Sequence, residues 1–351
     1  MLILALDLGK NKSVACLYQS EIGEHTFRTL ATTPQALHDL LVEVEPKRVV
    51  FEAGAAAGWL ADLCRALELE FQVANANHEA WRWKNVKSKT DRKDAVKLAQ
   101  LSLMQQLPTV HVPKKAVRQW RSLIAYRQSL IQRRTMIKNH LRSILDREGL
   151  AWPAGKSGWT QVQLKHLAAL ARPLVECAPE ELWRGEVDQE LRQLGQVQER
   201  IAEIVAKLDD LAAADGRVEL LQTAGGVGPR LAEAIVATID DPHRFQTGKQ
   251  VGCYAGLTPR QFQSGQMDRQ GRISKQGNRL LRALLIEVSW AALRWNEWAR
   301  ATFQRLSGGN PKNRSKAIVA LARRLLVRCW AMLRDGTAWR DQPPQVALVR
   351  P

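Results

Sequence analysis

Leu2-Ile3-Leu4-Ala5-Leu6-Asp7-Leu8 opens the chain as an almost unbroken apolar run with one carboxylate set inside it. A run this short reads as a buried strand, since a membrane span needs about 20 apolar residues. Outward from it, residues 13–18, 26–31, 48–52 and 71–74 also have strand character. Between them, residues 34–44 and 57–67 carry apolar side chains at helical spacing, with Thr33 standing as the N-cap ahead of Pro34. The order is three strands, helix, strand, helix, strand, which defines an α/β domain.

Three consecutive strands followed by helix-separated strands is what a ribonuclease-H-like topology requires, although other α/β folds share parts of it. Beyond this domain the pattern turns helical. Residues 114–148 form one long helical stretch and residues 187–211 a second, in which Leu194, Val197, Ile201, Ile204, Leu208 and Leu211 step as a heptad seam. That seam serves either a contact between subunits or a hairpin between the two long helices. The stretch 152–181, broken by Pro153, Gly155, Gly158, Pro173 and Pro179, reads as a connector. The expected division is an α/β domain over 1–110, a helical and coiled-coil segment over 111–215, a mostly helical domain over 216–340 and a tail over 341–351.

The 52 basic and 35 acidic side chains leave a formal charge of +17, more than solubility requires. A polyanionic partner is the simplest explanation, and a basic but unspecialised surface is the alternative. Five cysteines stand singly, with no CxxC pair, so a zinc ribbon or a disulfide framework is not indicated. The seven histidines are dispersed, which directs any metal to carboxylate oxygens and hence to magnesium or manganese. No signal peptide or apolar span is apparent, so a cytoplasmic protein without a membrane partner is expected.

Asp7 and Glu52 end two strands, and sites in α/β sheets assemble at the carboxyl ends of strands. Asp91 and Asp94 stand three apart at the start of a helix, where carboxylates are also simply favourable with the helix dipole. Asp7, bounded by Leu6 and Leu8, needs a partner or a metal. Four such groups within about 4 Å would repel by roughly 4 kcal/mol per pair at an effective dielectric of 20, so a cluster demands a divalent cation.

With Ala5-Leu6-Asp7, Phe51-Glu52-Ala53 and Lys89-Thr90-Asp91-Arg92-Lys93-Asp94-Ala95 in place, the chain resembles the DEDD transposases of insertion sequences. These are bridge-RNA-guided recombinases whose N-terminal domain resembles the Holliday-junction resolvases. The resemblance implies magnesium, or manganese, held by Asp7, Glu52, Asp91 and Asp94.

In the C-terminal region Ala224-Gly225-Gly226-Val227-Gly228-Pro229 resembles a helix-hairpin-helix, or is a plain turn between helices. Gly226 and Gly228 would let backbone amides approach phosphates. The stretches Tyr254-Ala255-Gly256-Leu257-Thr258-Pro259-Arg260, Gln263-Ser264-Gly265 and Gly271-Arg272-Ile273-Ser274-Lys275-Gln276-Gly277-Asn278 match the family's serine-bearing pattern, which falls on Ser264 in a loop. Ser274 is the rival. The resemblance implies that Ser264 attacks a DNA phosphodiester to form a phosphoserine link, with dimers assembling to a tetramer around donor DNA, target DNA and guide RNA.

Basic and aromatic residues interleave at Trp81, Arg82, Trp83, Lys84, Lys87, Lys89, Arg92 and Lys93, a mixture suited to holding a backbone and stacking a base. Arg118, Arg121, Arg127, Arg133, Arg134, Lys138 and Arg142 line the first long helix, and Arg260, Arg272 and Lys275 surround the serine. A solvated helix face accounts equally well for any one of these runs. The function expected is guide-directed DNA insertion and excision. A junction-resolving nuclease using water, and a non-catalytic nucleic-acid-binding protein, remain as alternatives.

Overall fold

A computed structural model describes residues 1–75, 90–152, 159–265 and 267–341. The chain divides into two compact units, Met1–Arg118 and Gln119–Pro351.

The first unit holds β1 (Leu2–Leu8), β2 (Lys12–Gln19), β3 (His25–Ala31), α1 (Pro34–Val44), β4 (Arg48–Glu52), α2 (Ala57–Ala66), β5 (Glu70–Ala74) and α3 (Asp91–Leu103). Its sheet runs β3-β2-β1-β4-β5, with β1, β2 and β3 antiparallel and β4 and β5 joined in parallel to β1. Because side chains alternate along a strand, the sheet has two apolar faces. Leu4, Leu6, Val49 and Phe51 pack against Leu37 and Leu41 of α1 and Leu60 and Cys64 of α2. Ile3, Ala5, Cys16 and Val50 pack against Ala95, Leu98 and Ala99 of α3. Three layers result. The Thr33 side chain accepts from the Ala36 amide at 3.2 Å, capping α1 as its sequence position predicts. Burial pushes the Cys16 and Cys64 thiols up to about 11 and about 12, which keeps them protonated core residues.

The second unit is mostly helical: α4 (Lys115–Arg147, beginning in the first unit), α5 (Gln161–Leu170), α6 (Leu182–Ala213), α7 (Gly216–Gln222), α8 (Pro229–Ile239), α9 (Gly248–Tyr254), then a hairpin of β6 (Pro259–Ser264) and β7 (Met267–Ile273), then α10 (Arg279–Trp295), α11 (Glu297–Ser307) and α12 (Arg314–Asp335). The heptad seam of α6 is filled from within the chain, since Leu194, Val197, Ile201, Ile204 and Leu208 share one buried cluster with Ile137, Leu141 and Ile144 of α4. His140 to Glu190 at 2.9 Å and Arg147 to Glu186 at 3.0 Å fix α4 antiparallel to α6. The expected connector contains α5, whose start is a capping box of Thr160 and Gln163.

Three arginines close the end of α8, where carbonyls lack helical partners. Arg121 donates to the carbonyls of Ala237 and Thr238, Arg244 to those of Thr238 and Ile239, and Arg217 to that of Asp240. Within α8, Glu233 is 1% exposed and 3.4 Å from Arg230, and its Oε2 has no hydrogen-bond partner among the described residues. Burial pushes its carboxyl up to about 7, against the pull of Arg230 and Arg127. A raised folded value means that the stabilising protonation is complete below the unfolded value near 4.5 and is lost as pH rises through about 7. The wild-type melting temperature should therefore fall relative to that of Glu233→Gln between pH 5 and pH 8, by a few degrees. Parallel melting curves across that range would show that the carboxyl is not held protonated.

Candidate active site

The alternation that builds the sheet also positions its carboxylates. Asp7 follows Ile3 and Ala5 at two-residue intervals, and Glu52 follows Val50, so both belong to the face covered by α3. Leu6 pairs with Phe51 in the parallel ladder, which makes Asp7 and Glu52 the next neighbours along it. Adjacent strands lie roughly 4.8 Å apart. Both carboxylates line a cleft of about 420 Å³ at the carboxyl ends of β1 and β4, together with Lys10, Thr32, Gly54 and Trp59.

The third carboxylate comes from α3. Thr90 caps this helix, its side chain accepting from the Lys93 amide at 3.3 Å. That register turns Asp94 inward, to 8% exposure, while Asp91, the first helical residue, stays exposed. One turn further on, Lys97 is pushed below its ordinary value by burial, and the charges of Asp94 and Glu52 oppose the shift. Lys97 thus lies within electrostatic reach of a carboxylate from the helix and one from the sheet. Of the four carboxylates expected, the structure brings Asp7 and Glu52 to one cleft, places Asp94 on the helix that covers the same sheet face, and leaves Asp91 exposed at that helix's start. Among the described residues no three acidic, histidine or cysteine side chains form a ready metal cluster. The donors fit a hard divalent cation in kind, being carboxylates alone, and they lie on one side of one sheet. Lys97 escaped the sequence reading because a lysine three residues after Asp94 looks like any solvated helical position.

Ser264 is the last residue of β6 and pairs with Met267 at the start of β7. It therefore stands at the tip of a two-stranded ribbon and not in an irregular loop. Every described residue of β6 is exposed, as are Arg269 and Arg272 on β7. No described side chain hydrogen-bonds the Ser264 hydroxyl, so the ribbon itself supplies no base to activate it. Asp268, across from Gln263, accepts from Gln261 at 3.2 Å. Ser274, the rival, lies at the ribbon's base, where its backbone amide donates to the Thr258 carbonyl at 2.8 Å.

The ribbon rests on two interlocked loops. A Cβ on Gly256 would lie 1.9 Å from the Gln276 carbonyl oxygen, and one on Gly277 would lie 2.0 Å from that of Tyr254. Both glycines have positive φ, +67° and +79°. Arg282 Nη1 donates to the carbonyls of Ala255, Gln276 and Gly277, tying the loops together. Lys275, also at positive φ, stays exposed between them.

The remaining expected nucleic-acid contacts divide. Trp81, Arg82, Lys84 and Lys89 lie outside the described residues. Arg92 stacks on Phe27 at 5.3 Å, beside Lys93 and Lys97 in a groove of about 460 Å³ between β3 and α3. Lys138 lies 4.8 Å over Trp159, next to Arg142, which covers both Trp152 and Trp159; Arg134 and Arg142 reinforce the lowering that burial imposes on the Lys138 ammonium. Gly226 is required by packing, since a Cβ there would meet Ala292 Cα of α10 at 2.9 Å, whereas Gly228 opens α8 with nothing near it. Arg260 is exposed on β6. Arg118 is bound to Asp62 and Arg121 to α8, so neither belongs to a free basic face.

Two carboxylates sharing a cleft at the strand ends of an α/β unit, in a chain of formal charge +17, suit chemistry on a polyanion. Residues 218–304 match the family model described as "Transposase IS116/IS110/IS902 family", and residues 4–149 match that of the DEDD transposases of the IS110 type. A protein of Pseudomonas aeruginosa named as a probable family 20 transposase is 31% identical over 241 residues, covering 66% of this chain and 68% of its own length. The transposase for insertion sequence element IS1111A of Coxiella burnetii is 28% identical over 72% of this chain and 69% of its own. The transposase for insertion sequence element IS1328 of Yersinia enterocolitica is 25% identical over 96% and 98%. The chain belongs to the IS110/IS116/IS902 family of insertion-sequence transposases, and it is accordingly an enzyme that cleaves and rejoins DNA. Among the described residues no helix is long and apolar enough to cross a membrane.

Gly256→Ala and Gly277→Ala should each destabilise the serine-bearing unit by more than about 1 kcal/mol and lower its melting temperature, because the added methyl meets backbone oxygen. Unchanged melting in both variants would show that the loops are not interlocked.

Proposed function

We propose that this transposase inserts and excises its element under the direction of a guide RNA, with Ser264 as the nucleophile. The observation that carries the reading is the division of labour. Two carboxylates share one cleft in the first unit, and the serine stands at the tip of an exposed basic ribbon in the second. A hydroxyl with no base beside it among the described residues needs one supplied on assembly, which the acidic cleft of another subunit would provide. Dimers pairing into a tetramer satisfy that need.

The first unit is taken as ribonuclease-H-like on its strand order. The α4 and α6 pair then serves as the helical segment over 111–215, and residues 216–340 as the serine-bearing domain. Dependence on divalent metal is typical of DEDD transposases. Asp7, Glu52 and Asp94 would hold magnesium or manganese, with Asp91 joining from the exposed start of α3. The ion, when bound, would polarise the scissile phosphate. This chain's own groups orient and neutralise: Arg260, Arg269 and Arg272 flank the serine, where they can balance the phosphate's charge. Serine attack forms a phosphoserine bond and releases a 3′ or 5′ hydroxyl, whose return restores the phosphodiester. Guide pairing supplies sequence choice, and the protein contacts backbone at Arg92, Arg134, Lys138, Gly228 and Lys275. The site of action is the cytoplasm, at the nucleoid.

A junction-resolving nuclease using water is the second reading, favoured by the absence of a described partner for the Ser264 hydroxyl. Protein, element RNA, labelled donor and target DNA and magnesium, run on a denaturing gel, separate the two. A protein–DNA adduct that disappears in Ser264→Ala is expected. Strand cleavage without any adduct would assign the chemistry to water.

A further inference from the structure

We infer that the carboxylate cleft takes one unpaired nucleotide of the cleaved strand, with Lys10 against its phosphate and Trp59 against its base. The inference rests on the reading of this cleft as the DNA-cleaving site, and names how it grips its substrate. Its volume of about 420 Å³ lies within the range of pockets that enclose small ligands, about 300–1,000 Å³.

Asp7 and Glu52 make the cleft repel a phosphodiester unless cationic charge accompanies it. Lys10, exposed in the turn between β1 and β2, brings an ammonium to the same cleft and pairs with no described carboxylate. An exposed ammonium in the lining can meet a phosphate. Thr32 adds a hydroxyl whose position is fixed by the buried Ser13, 2.7 Å away.

Another part of the lining is Gly54 and Ala55, with no side chain beyond a methyl, and then Trp59 in the first turn of α2. Packing does not demand the glycine, because a Cβ at Gly54 would meet nothing within 4 Å. The missing side chains leave room beside the indole. Trp152, Trp159, Trp298 and Trp339 are each covered by another ring or a cation. Trp59 is half-buried, packed in part against the apolar layer of α1 and α2, and among the described residues no ring or cation covers it, so the part of the indole that lines the cleft can meet a planar partner. In a duplex the base faces are already stacked, and only an unpaired or extruded nucleotide offers one. The cleft thus selects a strand that has left its duplex.

The test uses the full chain with its element RNA and magnesium, and element-end DNA whose cleavage position is first mapped with the wild type. In binding titrations, replacing the nucleotide beside the scissile phosphate with an abasic spacer should weaken wild-type binding at least about tenfold. Trp59→Leu should show the same loss on intact DNA and no further loss on abasic DNA, with Trp59→Phe close to wild type. Lys10→Gln should weaken binding to both, and Lys10→Arg should restore it. Equal wild-type affinity for abasic and intact DNA, or additive losses in Trp59→Leu, would overturn the inference; the wild-type comparison stands even if Trp59→Leu does not fold. Absence of wild-type cleavage would instead count against the reading of the cleft itself.

Discussion

The packing of α3 across one face of the sheet is the constraint on which the site depends. Ala95, Leu98 and Ala99 bury against Ile3, Ala5 and Val50, and the apolar contact fixes both the height and the rotation of the helix. With that rotation set, Asp94 turns inward and Lys97 comes within reach of Glu52. The strands obey the same periodicity, since the positions that follow Ala5 and Val50 on this face are Asp7 and Glu52. Charged groups are thereby carried to the rim of an apolar layer, where burial is costly unless opposite charge is close. Lys97 supplies part of that charge from within the chain.

In the second unit the governing requirement is different. An exposed two-stranded ribbon is marginal by itself in water, and β6 and β7 are anchored by the interlocked loops at Gly256 and Gly277 and by Arg282. The buried layer of α8, α10 and α12 holds those loops. Rigidity at the base and exposure at the tip suit the proposed presentation of the Ser264 hydroxyl to a partner surface.

Much of this architecture was legible in the sequence because it is written in short-range periodicity. The apolar runs of β1 and β4 and the cap at Thr33 identify the elements of the first unit to within a residue or two, and Asp7 stands out against Leu6 and Leu8. The heptad seam of α6 was equally visible, but its partner was not, because periodicity says which face is buried and not what covers it. Tertiary packing chose α4. The β6–β7 hairpin was missed because Gln261, Gln263, Asp268 and Gln270 give it no apolar face, so the strand signal is absent. Helix α5 hid in a segment broken by prolines, although Thr160 and Gln163 form a capping box. Arg118 and Arg121 read as part of a basic helix face and proved to be tied down by Asp62 and by the end of α8, a use that no charge count discloses.

The account is tested most directly by titrating the full chain with manganese in the absence of nucleic acid and following the enhancement of water-proton relaxation. It predicts saturable binding that weakens at least tenfold in Asp7→Asn and in Asp94→Asn alike, since strand and helix hold one ion between them. Binding that falls in Asp7→Asn but is untouched in Asp94→Asn would contradict it, by showing that the packing of α3 does not bring its carboxylate into the site.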